Sequence, residues 1–207
     1  MATPNSKTRP DLKDLPMKQA KAGAKRATGD VFAAAQLPGV APVPEIRARA
    51  FEIYKRAGLP HRRRENWKYT DPRALIGEVL PLAPRPDADA IVRARVSAKQ
   101  AAAHQAIKLV LVDGIFTPHL SRLGGLENEI VVRSLREVVE DAATADLAGL
   151  VLLTTSNPAI SLNAAMATDG LVITVPDGAA LNRPIHIVSR GNRMFGVHAY
   201  PLVSVAR

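Results

Sequence analysis

Histidine is the side chain best suited to bind a transition metal or to move a proton near neutral pH, and this chain has five. A metal site within one segment would need two histidines at short spacing, as in H-x-H or H-x-x-x-H. No such pair occurs, so a site would require distant segments to converge, and we predict none. The five residues are His61, His104, His119, His186 and His198.

Thiols and carboxylates offer few further candidates. The sequence contains no cysteine, so these residues supply neither a disulfide nor a thiolate ligand, which agrees with a reducing cytoplasm. Asp87 and Asp89 lie in a proline-rich segment, where we expect them to be solvated rather than to form a catalytic pair. Asn163 and Asp169 precede a short β-branched run, and we expect them to satisfy backbone groups at a corner between a helix and a strand.

The loops that bind nucleotides or present a nucleophilic serine are also missing. The sequence contains no G-x-x-x-x-G-K-[ST], no G-x-G-x-x-G and no G-x-S-x-G. A carbohydrate-active β-helix enzyme would need acidic residues along a sheet groove, but residues 163–207 contain only Asp169 and Asp177, both at turns. We therefore predict no catalytic, cofactor-binding or metal-binding residue, and we do not expect an enzyme.

A cluster of basic and aromatic residues is the remaining candidate for a binding site. Arg62–Arg64 stand beside Trp67 and Tyr69, in a chain with 28 basic and 19 acidic side chains and a net charge of +9. Such residues could contact phosphates and stack on bases, so a nucleic-acid-binding module is our alternative hypothesis. Because no recognised nucleic-acid motif surrounds them, we favour the interpretation that Trp67 and Tyr69 anchor this loop against a neighbouring helix, Glu45–Ala57.

Helical periodicity predicts the elements around that loop. Within Glu45–Ala57 the apolar residues recur at helical spacing, and Gly58 stands at the C-cap position. A second helix begins at Ser134, where Glu137 completes a capping box, and extends to Ala148. The apolar stripe of the first helix comprises Ile46, Ala50, Ile53 and Ala57, and Phe51 and Tyr54 widen it. Shorter helical segments are predicted at Val31–Leu37, from Thr70 through Ile76, and at Ile160–Ala167.

The strands are short and are joined by turn residues. Ile107–Val112 is a continuous apolar run typical of a strand buried on both faces, and Asp113-Gly114 turns it. Leu171–Val175 and Ile185–Val188 are separated by a gap that is too long for a two-residue hairpin and lacks helical periodicity. This pattern fits rungs of a solenoid or a β-sandwich. A further strand is predicted at Leu202–Val205. If Ile185 and Ile187 face the core, His186 points outward.

The N-terminal residues have a different composition. Residues 1–30 are polar and basic, with seven Lys or Arg against three Asp, and we predict a mobile basic arm over residues 1–40. No apolar run reaches the roughly 18–20 residues of a membrane span, and the first 30 residues lack the apolar core of a secretory signal. We therefore expect a cytoplasmic protein without membrane contact.

Three segments, in order along the chain, resemble the SufB/SufD family of iron–sulfur cluster assembly proteins, and SufD in particular. Gly58–Thr70 resembles the signature GLP…RR.E.W.YT. Leu109–Phe116 resembles the family's LVFVDG.F strand and turn. Asn163–Ser189 contains the Asn-Ala…Asp-Gly element followed by Pro-Ile-His-Ile. The resemblance extends from about residue 45 to the C-terminus and suggests the N-terminal half of such a protein.

The resemblance implies a fold and a set of partners. We expect an α+β, mainly β chain, in which an N-terminal helical region is followed by the first rungs of a right-handed parallel β-helix, truncated at the C-terminus. The expected divisions are the arm at 1–40, a mostly helical region with one buried strand at 41–162, and the start of the β-helix at 163–207.

The implied function is that of a non-catalytic scaffold subunit contacting a SufB-like β-helix subunit and a SufC-like ATPase. No cofactor is expected in this segment, since iron–sulfur clusters and ATP would be handled through partner subunits. The family residues tied to the SufB interface and to cluster formation would lie further on. Because an unfinished solenoid exposes its last rung, we expect residues 163–207 to be poorly ordered or self-associated in isolation.

Overall fold

A computed structural model describes residues 30–33, 35–71, 81–100, 106–123, 129–144, 152, 156–191, 197 and 199–205. It has a mixed α+β architecture of helices and two three-stranded sheets. The predictions for residues 1–29 and for the helical turn following Asp71 lie outside the described residues. No helix within the described ranges is long and apolar enough to cross a membrane.

The described residues form four α-helices and six strands. The helices are α1 (Val43–Ala57), α2 (Ala88–Gln100), α3 (Leu135–Glu140) and α4 (Pro158–Met166). The strands are β1 (Ile107–Val112), β2 (Ile115–Phe116), β3 (Val131–Ser134), β4 (Asp169–Val175), β5 (Ile185–Arg190) and β6 (Ala199–Val205). Two 3₁₀ turns, Glu65–Trp67 and Pro118–Leu120, lie in the connections.

Consecutive strands in the C-terminal part alternate between the two sheets. One sheet has the order β2-β1-β5 and the other the order β3-β4-β6. β5 runs parallel to β1, with Ile107 opposite Ile185, and β6 runs parallel to β4, with Asp169 opposite Ala199. β4 and β5 are therefore not hairpin partners, which agrees with the prediction that the gap between them is no tight turn.

Of the two antiparallel pairs of strands in the described sheets, one is local and the other joins strands distant in sequence. β1 and β2 form a hairpin whose two-residue turn is Asp113-Gly114, with φ of 50° and 82°. Positive φ at both turn positions is the type I′ geometry that Asp-Gly favours, so the predicted turn is confirmed. β3 pairs antiparallel with β4, with Ser134 opposite Leu171. The four-residue strand β3 was not predicted.

Three apolar clusters separate four layers. Between the sheets, alternate residues of β1 pack against Leu171 and Ile173 of β4. The opposite face of β1, Val110 and Val112, contacts Ala94 of α2, so this strand is covered on both faces as predicted. The remaining face of β4 contributes Val172 to a cluster with α1, α3 and α4. The order of layers is therefore helices, sheet, sheet, helix.

Local signals set several element boundaries. The Ser134 hydroxyl accepts a hydrogen bond from the Glu137 amide at 3.4 Å, and the Glu137 carboxylate accepts one from the Ser134 amide at 3.2 Å. The predicted capping box is thereby confirmed. α2 was not predicted, and the Asp87 carboxylate accepts a hydrogen bond from the Ala90 amide at 2.7 Å. Asp87 thus caps a helix, and the expectation that it merely solvates a linker is wrong.

The buried stripe of α1 agrees in part with the predicted one. Ala50, Phe51 and Tyr54 are buried as predicted, whereas Ile46 and Ile53 are half-buried and Ala57 is exposed. The buried face is centred on the aromatic residues, and the Phe51 ring stacks on Phe32 with ring centroids 4.1 Å apart.

The predicted divisions of the chain can be compared with the contacts. The Val40 amide donates to the Val139 carbonyl at 2.9 Å, and the Pro38 carbonyl accepts from Arg47. These contacts lie at the end of the arm expected over residues 1–40, and the arm stays a prediction. The ladders β1–β5 and β3–β4 cross the boundary proposed at residues 162 and 163, and that division stays a prediction.

Candidate functional site

A cleft of about 490 Å³ opens between the start of α2, the β2 strand and the α3 helix. Asp169 and Ser134 lie on its wall, together with Phe116 and Arg136, and His119 lines it as well. Since this is where carboxylates, a histidine and a serine come together, it is the first place to test for chemistry.

The Asp169 carboxylate is fully engaged in holding the fold together. It is 2% exposed and accepts hydrogen bonds from the Phe116 amide at 3.0 Å, the Arg136 amide at 3.0 Å and the Ser134 hydroxyl at 2.7 Å. These bonds join β2, the first turn of α3 and the start of β4. A buried carboxylate that accepts from three donors acts as a structural acceptor.

The other polar groups of the cleft are also engaged with one another. Glu137 belongs to the capping box, and the Arg136 guanidinium pairs with Glu140 at 3.0 Å. Within the described ranges, no group of three or more His, Cys, Asp or Glu side chains could hold a metal ion. The Ser134 hydroxyl lies within hydrogen-bond reach of Asp169, but both side chains are buried and bond to backbone amides of neighbouring elements, and we assign the cleft a structural role.

The described histidines do not converge. His61 accepts a hydrogen bond from the Arg63 amide at 3.2 Å, and His119 is exposed in the second 3₁₀ turn. His186 is half-buried, while Ile187 is 39% exposed and Val188 is buried against α2. Ile187 lies opposite Leu109 on the face that packs between the sheets, and His186 lies on the other face with Val188, so His186 points away from the core between the sheets as expected. His104 and His198 lie outside the described residues.

Asn163 and Asp169 perform the role predicted for them. The Asn163 amide donates to the Ala199 carbonyl at 3.0 Å and so joins α4 to the start of β6. Asp169 binds backbone amides of two other elements. Both residues satisfy backbone groups near the corner between α4 and β4.

Arg47 is a buried cation that sequence reasoning missed. It is 3% exposed, and its guanidinium donates to the carbonyls of Ala164, Ala165 and Pro38 at 3.2–3.3 Å. Two of these carbonyls belong to the last turn of α4, where the helix dipole favours a positive charge. Burial and the positive charge of Arg136 lower the pKa of Arg47 to about 10. The sequence did contain a signal for this buried arginine, because Arg47 lies four residues after Val43, on the apolar stripe of α1.

In the basic–aromatic loop, residues 61–69, the basic side chains are exposed, in contrast to the buried Arg47. Arg62, Arg63, Arg64 and Lys68 are exposed, and the Lys68 ammonium lies 5.6 Å from the centroid of the Tyr69 ring. Tyr69 is 90% exposed, so the interpretation that it anchors the loop against α1 is wrong. Trp67 is half-buried. The loop is held by its own turns rather than by burial of its aromatic tip.

The edges of the two sheets form a third candidate surface. β5 and β6 are the terminal strands of their sheets, and each runs parallel to its described neighbour. Each also exposes an apolar residue, Ile187 at 39% and Val203 at 55%. An edge strand of this kind can accept another strand by backbone pairing.

Comparison with known proteins gives two matches. Residues 36–187 match the family model described as the SufBD protein N-terminal region. The chain is also similar to an iron–sulfur cluster assembly SufBD family protein of Synechocystis sp., with 30% identity over 151 residues. That similarity covers 69% of this chain and 31% of the relative, so the chain spans about a third of the relative's length.

Proposed function

Because this chain belongs to the SufBD family, we propose that it acts in iron–sulfur cluster assembly as a non-catalytic scaffold subunit of the SufD type. Its partners would be a SufB-like subunit and a SufC-like ATPase in the cytoplasm. The iron–sulfur cluster is cargo in this proposal, and ATP is handled by the ATPase subunit. The cysteine-free sequence supports this division of roles, because these residues offer the cluster no thiolate.

The observation that carries the proposal is the path of β4, β5 and β6. The chain leaves one sheet after β4, contributes β5 to the other sheet, and returns to place β6 parallel to β4. Asp169 lies opposite Ala199, so one such circuit takes 30 residues. A circuit that returns parallel to its start is what the first coil of a parallel β-helix requires. We expect it to be right-handed, as nearly all parallel crossovers are.

The open edges indicate how such a scaffold would work. Successive coils of a longer chain would add to β5 and β6 in turn, covering Ile187 and Val203. The last coil would still present unpaired backbone groups, and the SufB-like subunit would pair with them. The earlier expectation that this chain self-associates through its last rung in isolation stays a prediction.

The test is co-purification of the full-length protein. We expect tagged full-length protein, co-expressed with the SufB-like and SufC-like proteins of the same organism, to elute with both. Val203→Lys should reduce the recovery of the SufB-like partner, because it places an ammonium beneath the next coil. Val92→Lys is the matched control, since Val92 is a 57% exposed valine on helix α2 rather than on an edge strand.

Two results would contradict the proposal. Repeated recovery of the full-length protein without either partner would remove the scaffold role. Equal loss of the SufB-like partner in both lysine variants would show that the sheet edges have no special part in assembly.

A further inference from the structure

We propose that the basic–aromatic loop binds an acidic segment of a partner protein. The loop follows α1 and lies outside the sheets on which the scaffold role depends. The loop differs from its surroundings first in its charge. The side chains of Arg62, Arg63, Arg64 and Lys68 are exposed, and none forms an ion pair with any residue in the part of the chain that the structure describes.

Three other basic residues on the described surface form ion pairs instead. Lys55 pairs with Glu52 at 2.7 Å, Arg136 with Glu140 at 3.0 Å and Arg133 with Asp141 at 3.4 Å. The loop instead concentrates four cations within seven residues, accompanied by the single carboxylate of Glu65. Its positive charge is therefore available to a ligand.

The backbone of the loop fixes these side chains within a small area. The Arg64 amide donates to the His61 carbonyl at 2.9 Å, and the Trp67 amide donates to the Arg64 carbonyl at 2.8 Å. The turn continues with the Lys68 amide donating to the Glu65 carbonyl at 3.2 Å. Successive tight turns reduce the conformational entropy that the loop would lose on binding.

Tyr69 supplies an apolar anchor beside the charges. Its ring is 90% exposed and has the Lys68 ammonium 5.6 Å from its centroid. Tyrosine and arginine are the residue types enriched at the energetic centres of protein interfaces. Arginine also pairs with carboxylates in a bidentate geometry, so a segment with Asp or Glu residues and one large apolar side chain fits this surface.

The same residues fit a nucleic acid less well. Proteins that hold single strands combine a groove lined with positive charge and several stacked aromatics, whereas this loop is a compact turn with one fully exposed ring. Glu65 lies among the cations and is exposed. A peptide can place a neutral residue opposite Glu65, but a strand of nucleic acid carries a phosphate at every nucleotide.

The experiment measures binding of three probes to the 207-residue chain by fluorescence anisotropy. The probes are a labelled glutamate-rich peptide with one central tryptophan, a labelled oligothymidylate and vesicles containing phosphatidylserine. We expect the peptide to bind most tightly. Replacing Arg62, Arg63 and Arg64 together by Gln should weaken its binding about tenfold, and Tyr69→Ala should weaken it about threefold.

The matched control removes the same formal charge elsewhere. Arg49, Arg93 and Arg95 are exposed residues of α1 and α2, and their replacement by Gln should change peptide affinity by less than about twofold. Equal weakening by both triple variants would overturn the proposal, because it would show an effect of net charge alone. Tighter binding of the oligothymidylate or the vesicles would overturn it in favour of a nucleic acid or a membrane surface. Failure of the peptide to bind would also overturn it.

Discussion

The corner around Asp169 and the basic–aromatic loop use charged side chains in opposite ways. Asp169 is 2% exposed, and three donors from two other elements converge on it. Arg62–Arg64 are exposed, and no described residue neutralises them. The difference shows how to separate structural charge from charge available for binding. A buried charge with a complete set of partners holds elements together, whereas an exposed cluster without partners contributes little to folding.

The largest effect that would test this comparison is expected at Asp169. Asp169→Ala removes the acceptor of two buried amides and one hydroxyl, and we expect the free energy of unfolding to fall by about 3–5 kcal/mol. Urea denaturation followed by circular dichroism measures it. Asp177→Ala, at the exposed turn after β4, should change the value by less than about 0.5 kcal/mol. A small effect at Asp169 would mean that this corner is not what joins the layers.

Replacing Arg47 is expected to lower the free energy of unfolding by an intermediate amount. Arg47→Met keeps most of the side-chain volume but leaves the carbonyls of Ala164, Ala165 and Pro38 without their donor. We expect a loss of about 2–3 kcal/mol in the same denaturation measurement. Arg49→Met, two residues along on the exposed face of α1, is the control and should be nearly neutral.

The pKa of Arg47 adds a dependence on pH. It is lowered to about 10 in the folded protein, below its ordinary value, so above this pH the unfolded chain binds more protons than the folded protein. The free energy of unfolding of the wild type, relative to Arg47→Met, should therefore rise as the pH increases above about 10. A relative stability that falls over this range would contradict the assignment of burial as the dominant cause.

The smallest effect is expected in the basic–aromatic loop. Replacing Arg62, Arg63 and Arg64 by Gln should change the free energy of unfolding by less than about 0.5 kcal/mol, because no folded-state contact is lost. Thermal and urea denaturation of the triple variant beside the wild type test this. Destabilisation as large as that caused by Arg47→Met would show that the exposed arginines of the loop also stabilise the fold.

The elements predicted best from sequence are those specified by local chemistry. The capping box at Ser134, the Asp113-Gly114 turn and the apolar run of β1 depend on residues within a few positions of one another, and each is confirmed. α2 was missed because its buried stripe consists mainly of small residues such as Ala90 and Ala94, which give weak periodicity after a proline-rich segment.

Pairing between strands could not be derived in the same way. Both a solenoid and a sandwich place short β-branched strands between turns, and only contacts distant in sequence separate them. Ile107 lies opposite Ile185, and Val131 lies opposite Thr174, in ladders that no local pattern indicates. Strand alternation gave the inward face of β5 but not its other side, because it does not reveal that α2 covers Val188 on the second face of the sheet.

The 30-residue circuit between Asp169 and Ala199 determines where the length of this chain can vary. Residues added between β4 and β5 would enlarge a corner and leave both ladders in register. A single residue added inside β4 would instead exchange the inward and outward faces of every position after it. Alignments of related chains should therefore accumulate gaps at the corners, and changes within the coils should come as whole circuits rather than as single residues.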